Sequence, residues 1–481
     1  MKTIEINKRI ITILLSISML AGILSAGWEQ TYGGLYDETG HSLAISQRGY
    51  VVAGRTYSFM YYRPEFYVLE ISSSGDIIWQ NTYSEGYAYS IEKTDDDCYI
   101  SAGYLRIPPE TGVHHYLVKI NRDGDSLWTG RYRDTHYQGF SRAIQTSDGG
   151  YIAVWYHEPD GGMDFYVVRT DSIGDTIWTK VLGDSLNDSA NSIIESSEEE
   201  YIIVGTSSCD GCDVGLWKID SLGDSIWTKF YGGPGNDYGY FIDTTADGHL
   251  VITGTTSIYT GGIMQDVYFL KINDDGDTLW TRKIGGEDES DIGRCVRPTS
   301  DGGYIIVGYT YSYGIGTPES SNVYLVKTDS EGYVEWEQTY GGPGEDKGYS
   351  VSQTDDGGYI IAGVYDQGAH TDVYLIKTDS LGYVDWIREP GMKPEEISLN
   401  VYPNPFNSSC QITVDVGAFR ETPLQIEIFD LRGNLVGALN LTPLQNNTAI
   451  WQPDEEIGSG IYLVRAKVGE KTTMKKIVFL R

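Results

Sequence analysis

An aspartate recurs at one point of a phrase that is repeated along the first three quarters of the chain. It usually starts an Asp-x-Gly-x pattern just ahead of an apolar run, and its copies are Asp37, Asp188, Asp237, Asp291 and Asp346. If those runs are the first strands of sheets around an axis, the carboxylates form a ring at one mouth of a channel and could bind a cation or another ligand. An aspartate in this place is also the usual cap of an Asx-type turn, and the pattern favours that second interpretation.

Residues that could form a catalytic or metal centre are scattered. Of the seven histidines only His114 and His115 adjoin, and adjacent residues of a strand point to opposite faces of the sheet. The sequence has no Gly-x-Ser-x-Gly, His-Glu-x-x-His or EF-hand pattern. It therefore predicts that the chain is not an enzyme and has no metal site and no cofactor.

Two cysteines, Cys209 and Cys212, stand in the stretch CDGC. A second Cys-x-x-Cys, which a structural zinc site would need, does not occur. For an exported chain we predict a small disulfide that closes one loop.

The elements that must position these residues are read from an internal repeat of roughly 50 residues. Its clearest marker is a tryptophan, found at positions 28, 79, 128, 178, 227, 280, 336 and 386. Between tryptophans come a Gly-rich turn with a short strand, an Asp-Gly turn with an apolar strand (300–308), an alternating strand (322–329) and the tryptophan strand. Four antiparallel strands per repeat need neighbours on both faces, and radial closure supplies them. The fold class is all-β, with a seven-bladed β-propeller over residues 27–387.

The repeat predicts seven sets of first to third strands but eight tryptophan strands. One tryptophan strand, at one end of the chain, is therefore in excess. The stretch WEQTYGG occurs at 28–34 and again at 336–342. We expect Trp28–Tyr32 to supply the outer strand of the last blade, and the strand around Trp386 is the competing candidate.

Function is expected on the rim that carries the variable loops between second and third strands. Four of their tyrosines, Tyr61, Tyr62, Tyr311 and Tyr313, join the recurring aspartates as candidate ligand-binding residues, since tyrosine offers flat apolar area and a hydroxyl group. The sequence favours a binding module for a glycan or a protein ligand. The alternative is a carbohydrate-active enzyme, a hydrolase or lyase, on the same ring.

The repeat phrase, with Asp220, Gly223 and Trp227 as one copy, resembles the repeats of pyrroloquinoline-quinone-type and related secreted bacterial propellers. The resemblance covers residues 27–390 and implies the fold alone, because the cofactor-binding residues of the quinoproteins are not recognisable.

The start of the chain and its charge indicate an exported protein. Residues 1–26 combine basic residues, an apolar run and small residues, as a signal peptide does. No membrane span is expected in the mature form. A net charge of −33 repels nucleic acid and anionic lipid, so neither is an expected partner. We predict a monomer.

The tail differs from the repeats. A linker rich in Pro, Gly and charge (388–398) precedes a small immunoglobulin-like β-sandwich at 399–481. Its phrases YPNPF (402–406), IFDLRGNLV (428–436), SGIYLVR (459–465) and KKIVFLR (475–481) are similar to the C-terminal sorting domain of type IX secretion substrates. The resemblance implies that residues 399–481 engage the type IX machinery and that the protein reaches the outer cell surface or the extracellular space.

Overall fold

The computed structural model of the chain describes residues 27–59, 63–107, 112–135, 141–157, 164–183, 187–196, 199–208, 211–257, 264–286, 289–313, 320–384, 398–402, 410–415, 424–430, 435–441, 448–451, 453, 457–468 and 471–479. Its regular structure is β-strand, and no helix in these ranges is long and apolar enough to cross a membrane. The chain divides into two compact units, Met1–Val384 and Asp385–Arg481. The predicted signal peptide and nearly all of the predicted linker lie outside the described residues.

In its described residues the first unit contains 27 strands. They are β1 (Trp28–Tyr32), β2 (Glu38–Ile45), β3 (Gly49–Thr56), β4 (Glu65–Ser72), β5 (Ile77–Lys93), β6 (Tyr99–Arg106), β7 (Val113–Ile120), β8 (Ser126–Thr135), β9 (Ser141–Gln145), β10 (Tyr151–His157), β11 (Asp164–Thr170), β12 (Thr176–Leu182), β13 (Asp188–Glu195), β14 (Tyr201–Ser207), β15 (Asp213–Ile219), β16 (Ser225–Tyr231), β17 (Asp237–Thr244), β18 (Leu250–Ser257), β19 (Gln265–Ile272), β20 (Thr278–Ile284), β21 (Asp291–Pro298), β22 (Tyr304–Thr310), β23 (Asn322–Thr328), β24 (Val334–Tyr340), β25 (Lys347–Gln353), β26 (Tyr359–Asp366) and β27 (Thr371–Thr378).

These strands pair as antiparallel sets of four. Strands β9–β12, β13–β16, β17–β20 and β21–β24 each form one sheet, and β2–β8 form a seven-stranded sheet in which the two ends of the long β5 belong to successive sets. The last sheet has the order β1-β27-β26-β25. We call β2, the second half of β5, β9, β13, β17, β21 and β25 the first strands. They contact one another in chain order and β25 contacts β2, so the sets form a closed ring.

The closing strand comes from the N-terminal side. Strand β1 pairs antiparallel with β27, with Trp28 opposite Lys377 and Tyr32 opposite Val373, which confirms the expectation for Trp28–Tyr32. The competing tryptophan, Trp386, lies outside the described residues.

The second strand of each set is buried on both faces because a sheet lies on either side of it. In β22, Ile305 and Val307 pack into a cluster with the following sheet, whereas Ile306 packs with the preceding one. This alternation follows from the two-residue period of a strand. The tight turn before β22 closes through a hydrogen bond from Gly302 N to Thr299 O of 3.0 Å, and Gly302 adopts a φ of +87° that glycine tolerates best.

The repeated tryptophans lie at the outer edge of the sheets and are not fully buried between them. The six from Trp79 to Trp336 are half-buried, because they lie on outer strands. Each ring packs on the turn glycine of the next set, as Trp178 does on Gly223, where an added Cβ would stand 2.9 Å from the ring. The indole Nε1 of Trp178 also donates a 2.9 Å hydrogen bond to Ser221 O in that turn.

The described part of the second unit has seven further strands in two antiparallel sheets. They are β28 (Ser398–Tyr402), β29 (Cys410–Asp415), β30 (Leu424–Asp430), β31 (Leu435–Leu441), β32 (Thr448–Trp451), β33 (Gly460–Val468) and β34 (Lys471–Phe479). One sheet has the order β28-β29-β32 and the other β31-β30-β33-β34. Ile412, Ile426, Ile428, Trp451 and Val464 are among its buried residues.

Candidate functional site

The recurring aspartates bind the turns that precede them. Asp237, Asp291 and Asp346 are buried and accept hydrogen bonds from the backbone N–H groups of Gly233, Gly286 and Gly342, at 2.7, 2.7 and 2.6 Å. Asp188 holds the equivalent buried position in β13. Burial raises the pKa of Asp291 and of Asp346. The contacts are those of turn caps.

Asp37 is placed differently from the other four. It is exposed, and its Oδ1 accepts a 2.9 Å hydrogen bond from Thr371 N. The buried cap of the first set is the next residue, Glu38, whose Oε2 accepts a 3.0 Å hydrogen bond from Gly34 N.

The candidate tyrosines of the rim are only partly described. Tyr61 and Tyr62 lie outside the described residues, as does Cys209 of the predicted disulfide. Tyr311 contacts Tyr309 with ring centroids 6.1 Å apart, and Tyr313 is exposed with its ring 5.7 Å from Tyr324. These residues thus remain candidates from sequence alone.

A second set of residues, which the sequence analysis did not select, lines the axis of the ring. Six first strands carry a β-bulge at the same place, so that one extra residue stands outside the strand pairing. The extra residues are His41, Tyr89, Asn191, Tyr240, Arg294 and Tyr349.

All six line one cavity, which we call the axial chamber. The residues that follow them in the strands, with Arg142 of β9, complete the described lining: Ser42, Ser90, Phe241 and Ser350. Each of the seven first strands thus contributes at least one residue. The cavity has a volume of about 70 Å³, several times the roughly 10–15 Å³ that one ordered water needs. It therefore has room for a small polar group with several non-hydrogen atoms.

The serines of the chamber tie neighbouring first strands together. Leu43 N donates to Ser350 Oγ at 3.3 Å, Ile91 N to Ser42 Oγ at 3.1 Å and Ala143 N to Ser90 Oγ at 3.3 Å. These bonds fix the first strands against one another, and so fix the position of the bulge residue next to each serine.

Aromatic rings and one guanidinium group form the wall. The His41 ring lies between Tyr89 and Tyr349, with centroids 5.1 and 5.4 Å away. The Arg294 guanidinium stands 4.3 Å over the Tyr240 ring and donates a 3.3 Å hydrogen bond to Tyr309 Oη. The wall thus combines flat apolar faces with hydrogen-bond donors.

His41 is held in its neutral form. Burial, reinforced by the charges of Arg55 and Arg294, lowers its pKa to about 3. Both ring nitrogens are shielded from solvent and have no hydrogen-bond partner among the residues that the structure describes. A neutral imidazole carries one N–H donor and one acceptor nitrogen, so both are available to a bound group.

The floor of the chamber is a group of charged residues around one phenyl ring, which we call the axial plug: Glu92, Arg142, Phe241, Asp243 and Arg297. The two guanidinium groups stand 4.2 and 4.8 Å from the ring centroid of Phe241. Arg142 bonds Glu92 at 2.7 Å, and Arg297 contacts Asp243 at 3.2 Å and Glu92 at 3.5 Å. The plug therefore pairs its two cations with two carboxylates.

A sequence signal for the chamber exists. In three sets the bulge residue is the last position of the Asp-x-Gly-x pattern, one step after the glycine, as in Asp237-Tyr-Gly-Tyr240 and Asp291-Ile-Gly-Arg294. The aspartate, which the sequence analysis selected as a candidate ligand-binding residue, caps the turn. The fourth residue, which differs from set to set, faces the axis.

Comparison with known proteins identifies the tail. Residues 400–480 match the family model described as the secretion system C-terminal sorting domain. The tail is a type IX sorting domain. The protein is accordingly exported to the cell surface or the extracellular space, and the sorting domain engages the type IX machinery. No curated protein matches the sequence significantly.

Solved structures resemble the chain only distantly. Sqt1 from Chaetomium thermophilum is 12% identical with a TM-score of 0.42, and the match covers 95% of this chain and 100% of Sqt1. The NanB sialidase from Streptococcus pneumoniae is 12% identical with a TM-score of 0.38, over 74% and 70% of the two chains. A putative exo-beta-1,3-galactanase from Bifidobacterium bifidum is 13% identical with a TM-score of 0.31, over 51% and 90%.

These neighbours correct one prediction. The sequence, lacking a recognisable catalytic motif, predicted that the chain is not an enzyme, and this is wrong as a conclusion, since structures similar to the chain include a sialidase and a galactanase. Short motifs mark only some hydrolases, and carboxylates that act together can come from strands far apart in sequence.

Proposed function

We propose that the chain is a secreted carbohydrate-active protein that binds the end group of a glycan in the axial chamber. In this proposal residues 27–387 form a seven-bladed β-propeller, residues 388–398 a linker, and residues 399–481 an immunoglobulin-like sandwich that serves export. The seven first strands around one cavity, and the resemblance of the repeats to quinoprotein-type propellers, support the blade count. The chamber acts within a monomer.

The observation that carries the proposal is the composition of the wall. Tyr89, Tyr240 and Tyr349 offer aromatic faces, while Asn191 and His41 offer polar groups at the same height of the ring. A sugar ring presents apolar C–H groups on its faces and hydroxyl groups on its edge, so it needs both kinds of contact.

The test is glycan binding by the exported protein on an array of oligosaccharides, followed by titration of the best ligand. We expect Tyr349→Ala to weaken binding by about 3- to 10-fold, the usual worth of one aromatic contact. Tyr333→Ala is the matched control, because Tyr333 is 61% exposed on an outer turn. Equal affinity of the two variants, or an array without any bound glycan, would refute the proposal.

A second candidate is cleavage of the bound glycan. Glu92 and Asp243 contact the same guanidinium, that of Arg297, and their side chains are 24% and 22% exposed. Two neighbouring carboxyl groups are what most glycosidases use as acid and base or nucleophile. Release of reducing ends from the bound glycan, lost in both Glu92→Gln and Asp243→Asn while glycan binding persists, would support this candidate. Turnover that survives both substitutions would exclude these carboxylates.

A further inference from the structure

His41 offers the axial chamber two hydrogen-bonding atoms that the described part of the protein leaves unused. Its ring is held between Tyr89 and Tyr349, and both of its nitrogens are shielded from solvent without a partner among the described residues. A buried polar atom that stays unpaired is costly. Its place on the wall of a cavity therefore points to a bound group that brings a hydrogen-bond acceptor for one nitrogen and a donor for the other.

The surroundings of His41 disfavour a positive charge in the chamber. Burial, reinforced by the charges of Arg55 and Arg294, keeps the imidazole neutral. The Arg55 guanidinium lies 4.9 Å over the Tyr87 ring, which stacks on the chamber residue Tyr89 with centroids 6.2 Å apart. The conditions that keep a proton off His41 act in the same direction on any cationic group that enters beside it.

A bound cation would also lack a counter-ion. The described residues that line the chamber include no carboxylate. The two carboxylates of the axial plug are already engaged, since Glu92 bonds Arg142 at 2.7 Å and Asp243 contacts Arg297 at 3.2 Å. An ammonium group would therefore lose its hydration without gaining an ion pair.

The tyrosine rings do not compensate for this loss, although aromatic faces can bind cations. The Tyr240 ring already has the Arg294 guanidinium 4.3 Å from its centroid, so a second cation on this ring would be repelled. The chamber thus favours a neutral group that combines polar atoms with a small apolar part. An acetamido group has these properties, because it carries a carbonyl oxygen, an N–H group and a methyl group.

We propose that the axial chamber selects glycans whose end sugar carries an acetylated amino group over the same glycans with a free amino group, an inference that rests on the proposed glycan-binding function. The N–H group of His41 donates to the acetamido oxygen, and the other ring nitrogen accepts from a sugar hydroxyl group. The methyl group packs on the aromatic wall. The cavity volume of about 70 Å³ accommodates a group of this size.

The test compares matched ligands on the full exported chain by titration calorimetry at about pH 6. The probes are oligosaccharides that end in N-acetylglucosamine or N-acetylgalactosamine, each paired with the counterpart whose end sugar bears the free amine. The free amine is protonated at this pH. We expect the acetylated member of at least one pair to bind about 10-fold or more tightly, because only the free-amine member brings a charge that stays unpaired.

Raising the pH separates the effect of charge from that of shape. A sugar amino group loses its proton between about pH 6 and pH 9, as an α-amino group does. The affinity of the free-amine member should rise over this range, while that of the acetylated member stays constant. His41 is neutral throughout. The other titratable residues of the described lining keep their charge, because arginine stays protonated and burial raises the pKa of the phenols: Arg142, Arg294, Tyr89, Tyr240 and Tyr349.

Substitutions assign the selection to the chamber. His41→Phe keeps a flat ring without hydrogen-bonding atoms and should weaken binding of the acetylated member by about 3- to 10-fold. Arg55→Gln should reduce the ratio of acetylated to free-amine affinity by about 3-fold or more. Arg282→Gln should leave this ratio unchanged, because Arg282 lies on the outer strand β20 over Tyr333. The comparisons within wild-type protein keep the test valid if a variant does not fold.

The outcomes separate this inference from the proposed function. Equal or tighter binding of the free-amine member in every pair overturns the selection and leaves glycan binding standing. A free-amine member whose affinity does not rise with pH also overturns it, because charge would then not be the cause. Binding only of glycans without an amino sugar overturns the inference alone. A protein that binds no glycan overturns both proposals.

Discussion

Each bulge residue lines the axial chamber, whereas its two neighbours in the strand maintain the packing and pairing of the first strands. Each is preceded by a small residue, Gly or Ala, and in three sets it is followed by a serine that ties two first strands together. His41, Tyr89 and Arg294 occupy equivalent positions and have unrelated chemical properties. A change at one bulge residue therefore alters the chamber without altering the framework that holds it.

His41 predicts how acid affects stability. Its pKa of about 3 in the folded protein lies below the value of 6.5 it has when exposed. Between these two values the imidazole is protonated in the unfolded chain and neutral in the folded chain. The stability that this residue contributes is present above pH 6.5 and falls as the pH is lowered towards 3. In His41→Gln we expect this part of the acid loss to vanish, up to about 1.4 kcal/mol per pH unit.

Urea unfolding at several pH values between 7 and 3 measures the effect. His249→Gln is the control, since His249 lies on the tight turn before β18 and away from the chamber. A separate loss of stability is expected below about pH 4 in the wild type and in both variants. It comes from three aspartates whose pKa values lie near 2 despite the opposing effect of burial: Asp96, Asp247 and Asp301. Identical slopes for wild type and His41→Gln above that pH would contradict the prediction.

The site was only partly accessible to sequence reasoning. The recurring aspartate is visible in the sequence, and its role as a turn cap follows from local chemistry. The bulge is not visible, because an extra residue in a strand changes the register with its partner, and pairing is a property of two segments. A sequence analysis that does not include the bulge assigns Tyr240 and Arg294 to one face of a regular strand.

At the scale of elements, the outer strand of each set is joined to the next set through a tryptophan and a turn. The turn glycine adopts a positive φ, +78° at Gly223, and leaves a flat surface for the indole. The contact joins neighbouring sets at the outside of the ring, while the serine bonds join them at the inside. Both kinds of contact recur from set to set.

A double-mutant cycle on Trp178 and Gly223 measures this joint. We expect Trp178→Ala to cost about 2 kcal/mol, less than the roughly 3–5 kcal/mol of a fully buried ring. Gly223→Ala should cost a similar amount, because its φ is unfavourable for alanine and the added Cβ would stand 2.9 Å from the indole. In the double variant the contact with the indole disappears, while the contact of the added Cβ with Lys180 Cγ at 2.8 Å remains. The two costs should therefore add to more than the cost of the double variant.

Gly248→Ala is the matched control for the cycle. Gly248 has a φ of +80° and nothing within 4 Å of an added Cβ, so only the backbone cost of about 1 kcal/mol is expected. Chemical denaturation of the wild type and the four variants gives the comparison. A cost for Gly223→Ala no larger than that for Gly248→Ala would show that the indole does not press on the turn.

The repeat made the elements predictable, because the same four phrases recur and each has a clear strand or turn signal. The exposure of the tryptophans was not predictable in this way. A ring that repeats at a fixed point of a sheet can lie at the centre or at the outer edge, and composition does not distinguish the two. Only the packing on the glycine turn shows that it lies at the edge.

At the scale of the whole molecule, the ring has one seam, between β1 and β27. Glu29 and Tyr374, joined there by a hydrogen bond, are 345 residues apart in sequence. The repeat predicted that a strand from one end closes the ring, but two segments, Trp28–Tyr32 and the strand around Trp386, competed for the place. Sequence alone could not decide between them because both have the pattern of an outer strand.

Removing the closing strand should open the seam. We expect deletion of residues 28–32 to lower the thermal midpoint of the first unit, because Val373 and Leu375 in the core lose their cover. A peptide with the sequence of residues 27–34 should restore the midpoint in a concentration-dependent way, since it binds the folded form only. A scrambled peptide is the control, and an unchanged midpoint after deletion would indicate that another segment closes the ring.

The sorting tail makes a prediction about the cell. Truncating residues 471–481, which removes β34, should leave the protein in the periplasm with its first unit folded, because the sorting domain directs passage across the outer membrane. Fractionation of the native host, with protease resistance of the first unit as the folding control, measures this. Normal amounts of the truncated protein at the surface or in the medium would contradict a role for β34 in sorting.

Because β1 pairs with β27, the ring can close only in a chain that has been synthesised as far as β27. The strand is among the first to be synthesised, and its partner β27 follows more than three hundred residues later, so any chain that stops early keeps an unpaired edge at each end. Such edges invite aggregation and proteolysis. Proteases and chaperones can thus distinguish an incomplete chain from a complete one by its unpaired strand edges. The ligand site plays no part in this distinction.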